Sequence, residues 1–357
     1  VRIAHISLHG CIRMHKIAMS QTLMGHPCHV LANFIAPAHS SNGYASVHKW
    51  DIEADKDSFP TSPQLAEEIR ILSPHVDIFH VHNEPNWIFR TVKENTNKPV
   101  VFDIHDWTSL RRVSDPPAFE LIEEKYALEN ADGFVVPSKG YLDKIREESN
   151  KPSILAYSMV PQFLFPEVDG KSEGLVYAGG VKGKNVEFIY NYEYRNWAAF
   201  SQLAVNLTDR EFDFYTANGG EDFCEYENEK IHMHPPKIYP DMMQSIAGHE
   251  AGIVGAPIEI LDFRDSMPNK LFEYISAGVP AIIINAPEAQ AFVEQNDLGM
   301  SIRDVSELPE ALEKLTNHNV SLDRWGYTME SQIPKVLALY EEIRCAQSPR
   351  AIPQMVY

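Results

Sequence analysis

Lys270 and Glu273 stand three residues apart in the segment Ser266–Asn285, SMPNKLFEYISAGVPAIIIN. The segment reads as a helix over Pro268–Ala277 that runs directly into a strand. Asp265 or Ser266 is the expected N-cap, and Pro268 suits a first turn. Gly278 favours left-handed backbone at the helix end, and Pro280 prevents continuation. On such a helix Lys270 and Glu273 share a face. A cation and helix-start amides can hold phosphate oxygens, while a carboxylate one turn later can accept both hydroxyls of a ribose. The plainer reading is an exposed ion pair at i,i+3, and spacing alone favours it.

Histidine is the second concentration of chemistry, because most of the 15 fall within the first 105 residues. His80 and His82 alternate along a strand and share a face, as do His232 and His234. A metal site needs three or four converging ligands, and no His-Glu-x-x-His or similar spacing occurs. The expectation is therefore hydrogen-bonded histidine at strand ends, some of it lining a cleft, with no bound metal. Asn83–Trp87 (NEPNW) falls where cleft loops sit, and substrate contact or a plain solvated loop both remain open. The acidic run Gly219–Lys230 resembles a calcium ligand set in composition only and reads as a solvated loop. Cys11, Cys28, Cys224 and Cys345 lack metal or redox spacing and read as reduced thiols, with a disulfide the lesser alternative.

The elements that must position these groups alternate from end to end. Strands are expected near Arg2–Leu8, Cys28–Ala32, Val76–Val81, Val100–Ile104 and Gly133–Val136, and helices over Ile12–Met24, Glu120–Glu129 and Lys139–Glu148. Residues 158–173, with two prolines and no period, read as a linker. Alternation then restarts with strands at Gly174–Ala178, Glu211–Thr216, Ala251–Gly255 and Ala281–Asn285. Helices are expected at Asn196–Asn206 and Tyr239–Ser245, and a terminal one at Ser331–Arg344. The expected class is α/β, with two Rossmann-like domains facing across a cleft. The boundaries are 1–165 and 166–330, followed by a terminal helix and tail over 331–357.

Length supports two cores, since 357 residues exceed one ordinary domain. The formal charge of −19 is uneven, because residues 166–357 hold 15 basic against 30 acidic side chains. Such a surface repels phosphate backbones, so nucleic acid is not an expected partner. No apolar run reaches bilayer-spanning length and no signal peptide is read ahead of Val1, so a cytoplasmic setting is expected. Phosphate-loop enzymes, dinucleotide dehydrogenases and α/β-hydrolases are disfavoured, because G-x-x-x-x-G-K-[ST], G-x-G-x-x-G after the first strand and G-x-S-x-G are all missing.

Several segments share one resemblance. PNKLFEYISAGVPAI looks like the donor-site helix of retaining glycosyltransferases of family 4, which have the GT-B fold. HGCIRMHKIAMSQTLMGHPCHVL resembles their first loop and helix, and VVFDIHDW their strand carrying a histidine. YALENADGFVVPSKGYLDKI resembles a later helix and strand, LVYAGGV the opening of the second domain, and LDRWGYTMESQIPKVLALYEEI the closing helix that returns to the first domain. Together these cover residues 1 to about 344. The resemblance implies sugar transfer, with retention and without a metal, from a UDP- or GDP-linked sugar to a carbohydrate, lipid-linked or small-molecule acceptor.

Carried over by position, Glu273 would bind ribose, and Lys270 and Asn269 would lie near the diphosphate. Gly10 would bring backbone close to the donor phosphates. His105, Asp106 and Asp265 form the implied catalytic set. The sequence departs from the pattern twice. Asp265 stands where a first glutamate is common, and Gly180 follows Gly179 where the family often has arginine. Lys182, Lys184, Arg195 or Arg264 could supply the missing cation. An epimerase of the same fold and a silent nucleotide-sugar-binding protein are the alternatives.

Overall fold

The computed structural model describes residues 1–34, 43–52, 62–83, 85–110, 117–168, 174–181, 195–216, 226, 228–259, 263–318 and 323–347. Two parallel sheets organise them. The first has the strand order β3-β2-β1-β4-β5-β6-β7 and the second β10-β9-β8-β11-β12-β13. In the first sheet β1 is Ile3–His9, β2 Cys28–Phe34, β3 Ser46–Lys49, β4 Ile78–His82, β5 Val100–Asp103, β6 Gly133–Val136 and β7 Ser153–Leu155. In the second β8 is Gly174–Ala178, β9 Glu211–Tyr215, β10 Ile231–His234, β11 Ala251–Gly255, β12 Ala281–Ile284 and β13 Gly299–Ile302. In each sheet two strands that are not sequence neighbours lie side by side, β1 against β4 and β8 against β11. Crossovers leave such a pair in opposite directions, opening a crevice at the carboxyl ends where ligands bind.

Helices cover both faces. In the first half α1 is Ile12–Leu23, α2 Pro63–Leu72, α3 Trp87–Glu94, α4 Ala118–Asn130 and α5 Lys139–Glu148. In the second half α6 is Ala198–Thr208, α7 Tyr239–Ile246, α8 Asn269–Ser276, α9 Pro287–Asn296, α10 Leu308–His318 and α11 Met329–Gln347. Central strands are buried along their length, as β4, β5, β6, β8, β11 and β12 show. That two-sided burial explains their unbroken apolar runs.

The sequence reading recovers every central strand to within about two residues and omits β3, β7, β10 and β13. Those four are the sheet edges. Each is three or four residues long and only partly buried, so its apolar pattern is weak. The expected cap of the donor-site helix is also corrected. α8 begins at Asn269 after Pro268, and no side chain caps it. At its other end Gly278 takes φ +72, as expected of a left-handed stop.

The terminal helix α11 starts in the second-half core through Met329 and Ile333 and then returns to pack on the first sheet. Val336, Leu339, Tyr340 and Ile343 join Ile3, Met14, Ala18, Val101 and Val135 in one core. The contact needs bare backbone at the start of β6. A Cβ on Gly133 would lie 2.5 Å from Ile343 Cδ1 and 3.3 Å from Leu339 Cδ1. Gly133→Val is expected to overpack this seam and lower the unfolding free energy by about 1–3 kcal/mol. Urea unfolding measures it, and an unchanged midpoint would contradict the packing described.

Candidate functional site

A cleft of about 620 Å³ opens where the two sheets face each other. One wall holds Cys11, Arg13, His105, Asp106 and Tyr141, and the other Tyr177, Gly179, Arg195, Lys270 and Glu273. The fold therefore brings together six of the ten residues singled out from sequence as site candidates, these being His105, Asp106, Arg195, Asn269, Lys270 and Glu273.

On the second-domain wall, β8 ends in Gly179-Gly180 beneath the start of α8. Lys270 Nζ lies 3.6 Å from the centre of the Tyr177 ring, a cation–π contact. A Cβ on Gly179 would sit 2.9 Å from Lys270 Nζ, and one on Gly180 would sit 2.5 Å from Arg195 Nη1. The glycine pair thus makes room for two cations supplied from elsewhere in the chain. Among the described residues, Arg195 and Lys270 are the cations beside this glycine pair. Burial and the neighbouring Arg195 push the Lys270 ammonium down to about 7, against the opposing pull of Glu273. Because no side chain caps α8, its first amides face the same region. Arg264 is exposed and does not line the cleft. Lys182, Lys184 and most of the run Gly219–Lys230 lie outside the described residues.

Glu273 is no surface ion-pair partner of Lys270. Its carboxylate is buried and accepts from Tyr239 OH at 3.1 Å and from Lys16 Nζ at 3.3 Å. Lys16 is wholly buried on α1 and also donates to the Ser158 carbonyl at 3.2 Å. The proposed ribose carboxylate is therefore held from both halves of the chain. Sequence reading missed Lys16 and Tyr239; a lysine inside an otherwise apolar helix face was the available signal for the first.

Asp265 is placed elsewhere. Its carboxylate meets Lys144 Nζ of α5 at 2.5 Å and does not line the cleft. Beside it Glu288 accepts from the backbone N–H groups of Lys139 and Gly140, capping α5 from the opposite half. In this arrangement Asp265 is an interdomain ion-pair partner. Gly10 is buried between β1 and α1, next to the cleft-lining Cys11.

The first-domain wall is built from the ends of β1, β4 and β5. Asn83, after β4, accepts from the His105 backbone N–H at 2.7 Å and donates to the Asp106 carbonyl at 2.5 Å. It holds the turn that presents both residues. In the NEPNW segment, then, Asn83 and Trp87 are buried, and neither is part of a solvated loop.

Beneath His105 lies a buried polar cluster that sequence spacing did not reveal. Asp103, wholly buried at the end of β5, accepts from Arg13 Nε at 3.0 and 3.1 Å and from His80 Nε2 at 3.2 Å. Arg13 Nη1 donates to the Ala156 carbonyl at 2.9 Å, while Nη2 is buried without a hydrogen-bond partner. His82 bridges His5 at 3.0 Å and His105 at 3.1 Å. Two triplets, His5–His80–His82 and Cys11–His82–His105, bring ligand-capable atoms within 4.8 Å of one another. Convergence of this kind comes from two strands, β1 and β4, and from the segments that follow β1 and β5, which no local spacing encodes. The nitrogens concerned already hydrogen-bond to one another, so the cluster is complete as a hydrogen-bonded unit.

Burial holds these imidazoles neutral. It is the largest influence on His5, lowered to about 3, and on His105, lowered to about 4, and it drives His82 well below the usual range. Unfolded histidine binds a proton near pH 6.5, so below that pH the unfolded chain takes up protons that the folded chain refuses. Stability should therefore fall as pH drops from about 6.5 toward 4, with a slope approaching one proton per buried histidine. Urea melts at stepped pH test this, and a flat profile above pH 5 would contradict it.

Comparison with known proteins follows the same division. The family described as Glycosyltransferase Family 4 matches residues 13–154, and that described as Glucosyltransferase 3-like, C-terminal domain, matches residues 175–322. No curated protein sequence matches the chain. Among solved structures it is similar to HepE of Anabaena in complex with UDP-glucose, at 11% identity and TM-score 0.66 over 97% of this chain and 99% of that one. It is also similar to sucrose-phosphate synthase of Thermosynechococcus elongatus, at 14% identity and TM-score 0.63 over 97% and 96% of the two chains. A glycosyltransferase of Rickettsia africae gives 11% identity and TM-score 0.64 over 98% and 99%. The first half thus matches a Glycosyltransferase Family 4 model and the second a Glucosyltransferase 3-like one, and the two-sheet architecture is that of the GT-B glycosyltransferases.

Proposed function

We propose that this glycosyltransferase moves a hexose-type sugar from a UDP- or GDP-linked donor to a hydroxyl acceptor, with retention at the anomeric carbon and without a metal. In this reading residues 166–330 bind the donor and residues 1–165 the acceptor. The observation that carries it is the pairing of Lys270, Arg195 and the uncapped start of α8 on one wall with His105 and Asp106 on the other.

Breaking a sugar–phosphate bond leaves a diphosphate gaining negative charge on a sugar turning cationic. Lys270, Arg195 and the α8 amides would stabilise the leaving diphosphate where that charge develops. Glu273, held in place by hydrogen bonds from Lys16 and Tyr239, would accept the ribose hydroxyls. The acceptor hydroxyl can pass its proton to the leaving phosphate, so no strong protein base is assigned, and a neutral His105 suits that arrangement. HepE, similar in fold, has been solved with UDP-glucose, which supports testing UDP sugars first. Cys11, Cys28 and Cys345 carry free thiols, in keeping with the cytoplasmic setting expected from sequence.

Glu273→Ala is expected to weaken nucleoside diphosphate binding at least tenfold by calorimetry while the thermal unfolding transition persists; unchanged affinity would remove the donor assignment. Lys270→Ala or Arg195→Ala should each lower turnover by about 10²–10³. The sign of the pH effect follows from Lys270. A bound polyanion favours its charged form, so binding takes up a proton near pH 7, and affinity for a nucleotide sugar should fall as pH rises from 6.5 to 8.5. Lys270→Arg, charged throughout, should flatten that dependence. Product anomeric configuration read by proton NMR tests retention, and an inverted linkage would refute it.

A further inference from the structure

The buried polar cluster has a direction that can be followed atom by atom. His80 Nε2 faces the Asp103 carboxylate at 3.2 Å and so must carry a proton there. With its proton on Nε2, the ring accepts at Nδ1 from Tyr340 OH at 2.5 Å. The Tyr340 oxygen then has only acceptor capacity left for Gln21, whose Nε2 donates to it at 3.2 Å. That fixes the Gln21 amide, placing Oε1 2.8 Å from His5 Nε2, which must donate. His5 Nδ1 is then an acceptor and takes a proton from His82 Nε2 at 3.0 Å. His82 Nδ1 is in turn an acceptor for His105 Nε2–H at 3.1 Å. The last bare atom is His105 Nδ1, 3.7 Å from the Cys11 sulfur on the cleft wall.

We propose that this chain, begun by the Asp103 carboxylate and ended at the cleft, locks His105 in its Nε2–H tautomer and so presents Nδ1 as a hydrogen-bond acceptor for a substrate hydroxyl. Gln21, His5 and His82 are its positioning residues. The alternative tautomer would put an N–H into the cleft and leave His82 Nδ1 facing a bare His105 nitrogen, two lone pairs opposed inside a buried site. Reversing the whole chain would require the Gln21 amide to turn and present its oxygen to a Tyr340 hydroxyl that already donates to His80, two acceptors opposed inside a buried site. Each link therefore blocks the reversal of the next. Burial keeps His5, His82 and His105 neutral, and the Cys11 thiol, pushed up to about 11 chiefly by burial, keeps its own proton and donates weakly to Nδ1 until a hydroxyl replaces it. The chain positions and does not conduct, because Gln21 can neither lose nor gain a proton.

The relay rests on the proposed sugar-transfer reading only for the identity of the hydroxyl. Its test is nitrogen NMR at pH 7 on the full chain labelled with ¹⁵N at histidine, with the His105 signal identified by its loss in His105→Asn. The expected result is a protonated Nε2 and a bare Nδ1 on His105; an Nδ1–H tautomer or an imidazolium would overturn the proposal. Gln21→Leu removes the acceptor for His5 and should give a mixture of His105 tautomers. It should also lower kcat by about tenfold with donor KM within twofold, the cost of one hydrogen bond in the transition state. Gln21→Glu, which keeps an oxygen toward His5, should restore the single tautomer. A pure Nε2–H signal in Gln21→Leu would equally overturn the relay. Absence of any sugar transfer beside an intact tautomer pattern would count against the proposed reaction and leave the relay standing.

Discussion

A carboxylate with no access to water is the constraint around which the first half of the molecule is arranged. Asp103 is wholly buried at the end of β5, and an ionised carboxylate there costs several kcal/mol unless charges and donors surround it. Arg13 from α1 supplies the charge, and His80 from β4 supplies a further donor. Through His80 the same carboxylate reaches Tyr340 of α11, more than two hundred residues away in sequence. One buried charge thereby ties the first helix, two central strands and the terminal helix together. A hydrophobic core of the same volume would be equally stable, but it would not specify which face of α11 meets the sheet.

The second half faces the opposite problem. It carries most of the formal charge of −19, yet its cleft wall concentrates cations. Burial and the nearby Arg195 together depress the Lys270 ammonium, so the two cations repel each other, a repulsion that an anion between them would relieve. The Gly179-Gly180 pair allows this, since a Cβ at either position would collide with a cation. Across the cleft the balance reverses, because neutral histidines and the Arg13–Asp103 pair make a polar wall with little net charge. A polyanion is drawn to one side, and the uncharged hydroxyls of a sugar fit the other.

The two halves are also bound to each other through charge. Lys16 reaches from α1 to Glu273 on α8, Lys144 reaches from α5 to Asp265, and Glu288 caps α5 from α9. Contacts of this kind are directional and depend on both halves being in register. The residue proposed to bind ribose is one of them. Any ligand that engages Glu273 would therefore act on the contact that sets the relative placement of the two sheets.

Much of this was legible from the chain alone, and the parts that were not share a cause. Central strands such as β4 and β12 announce themselves because burial on both faces demands unbroken apolar runs, whereas the edge strands β3, β7, β10 and β13 meet no such demand. Lys270 and Glu273 were readable because one helix face carries both. Lys16, Arg13, Asp103 and Gln21 were not, because each acts on a partner brought in by a different element. Asp265 shows the converse, since a position matching a family glutamate is turned toward Lys144 once α5 packs beside it. By itself the sequence determined the two Rossmann-like sheets, the donor-side helix and the polarity of the chain, all of which follow from local periodicity and composition. Which cations share the cleft wall, what holds Glu273, and what surrounds His105 were decided only by tertiary structure, because each depends on desolvation and on hydrogen-bond partners distant along the chain.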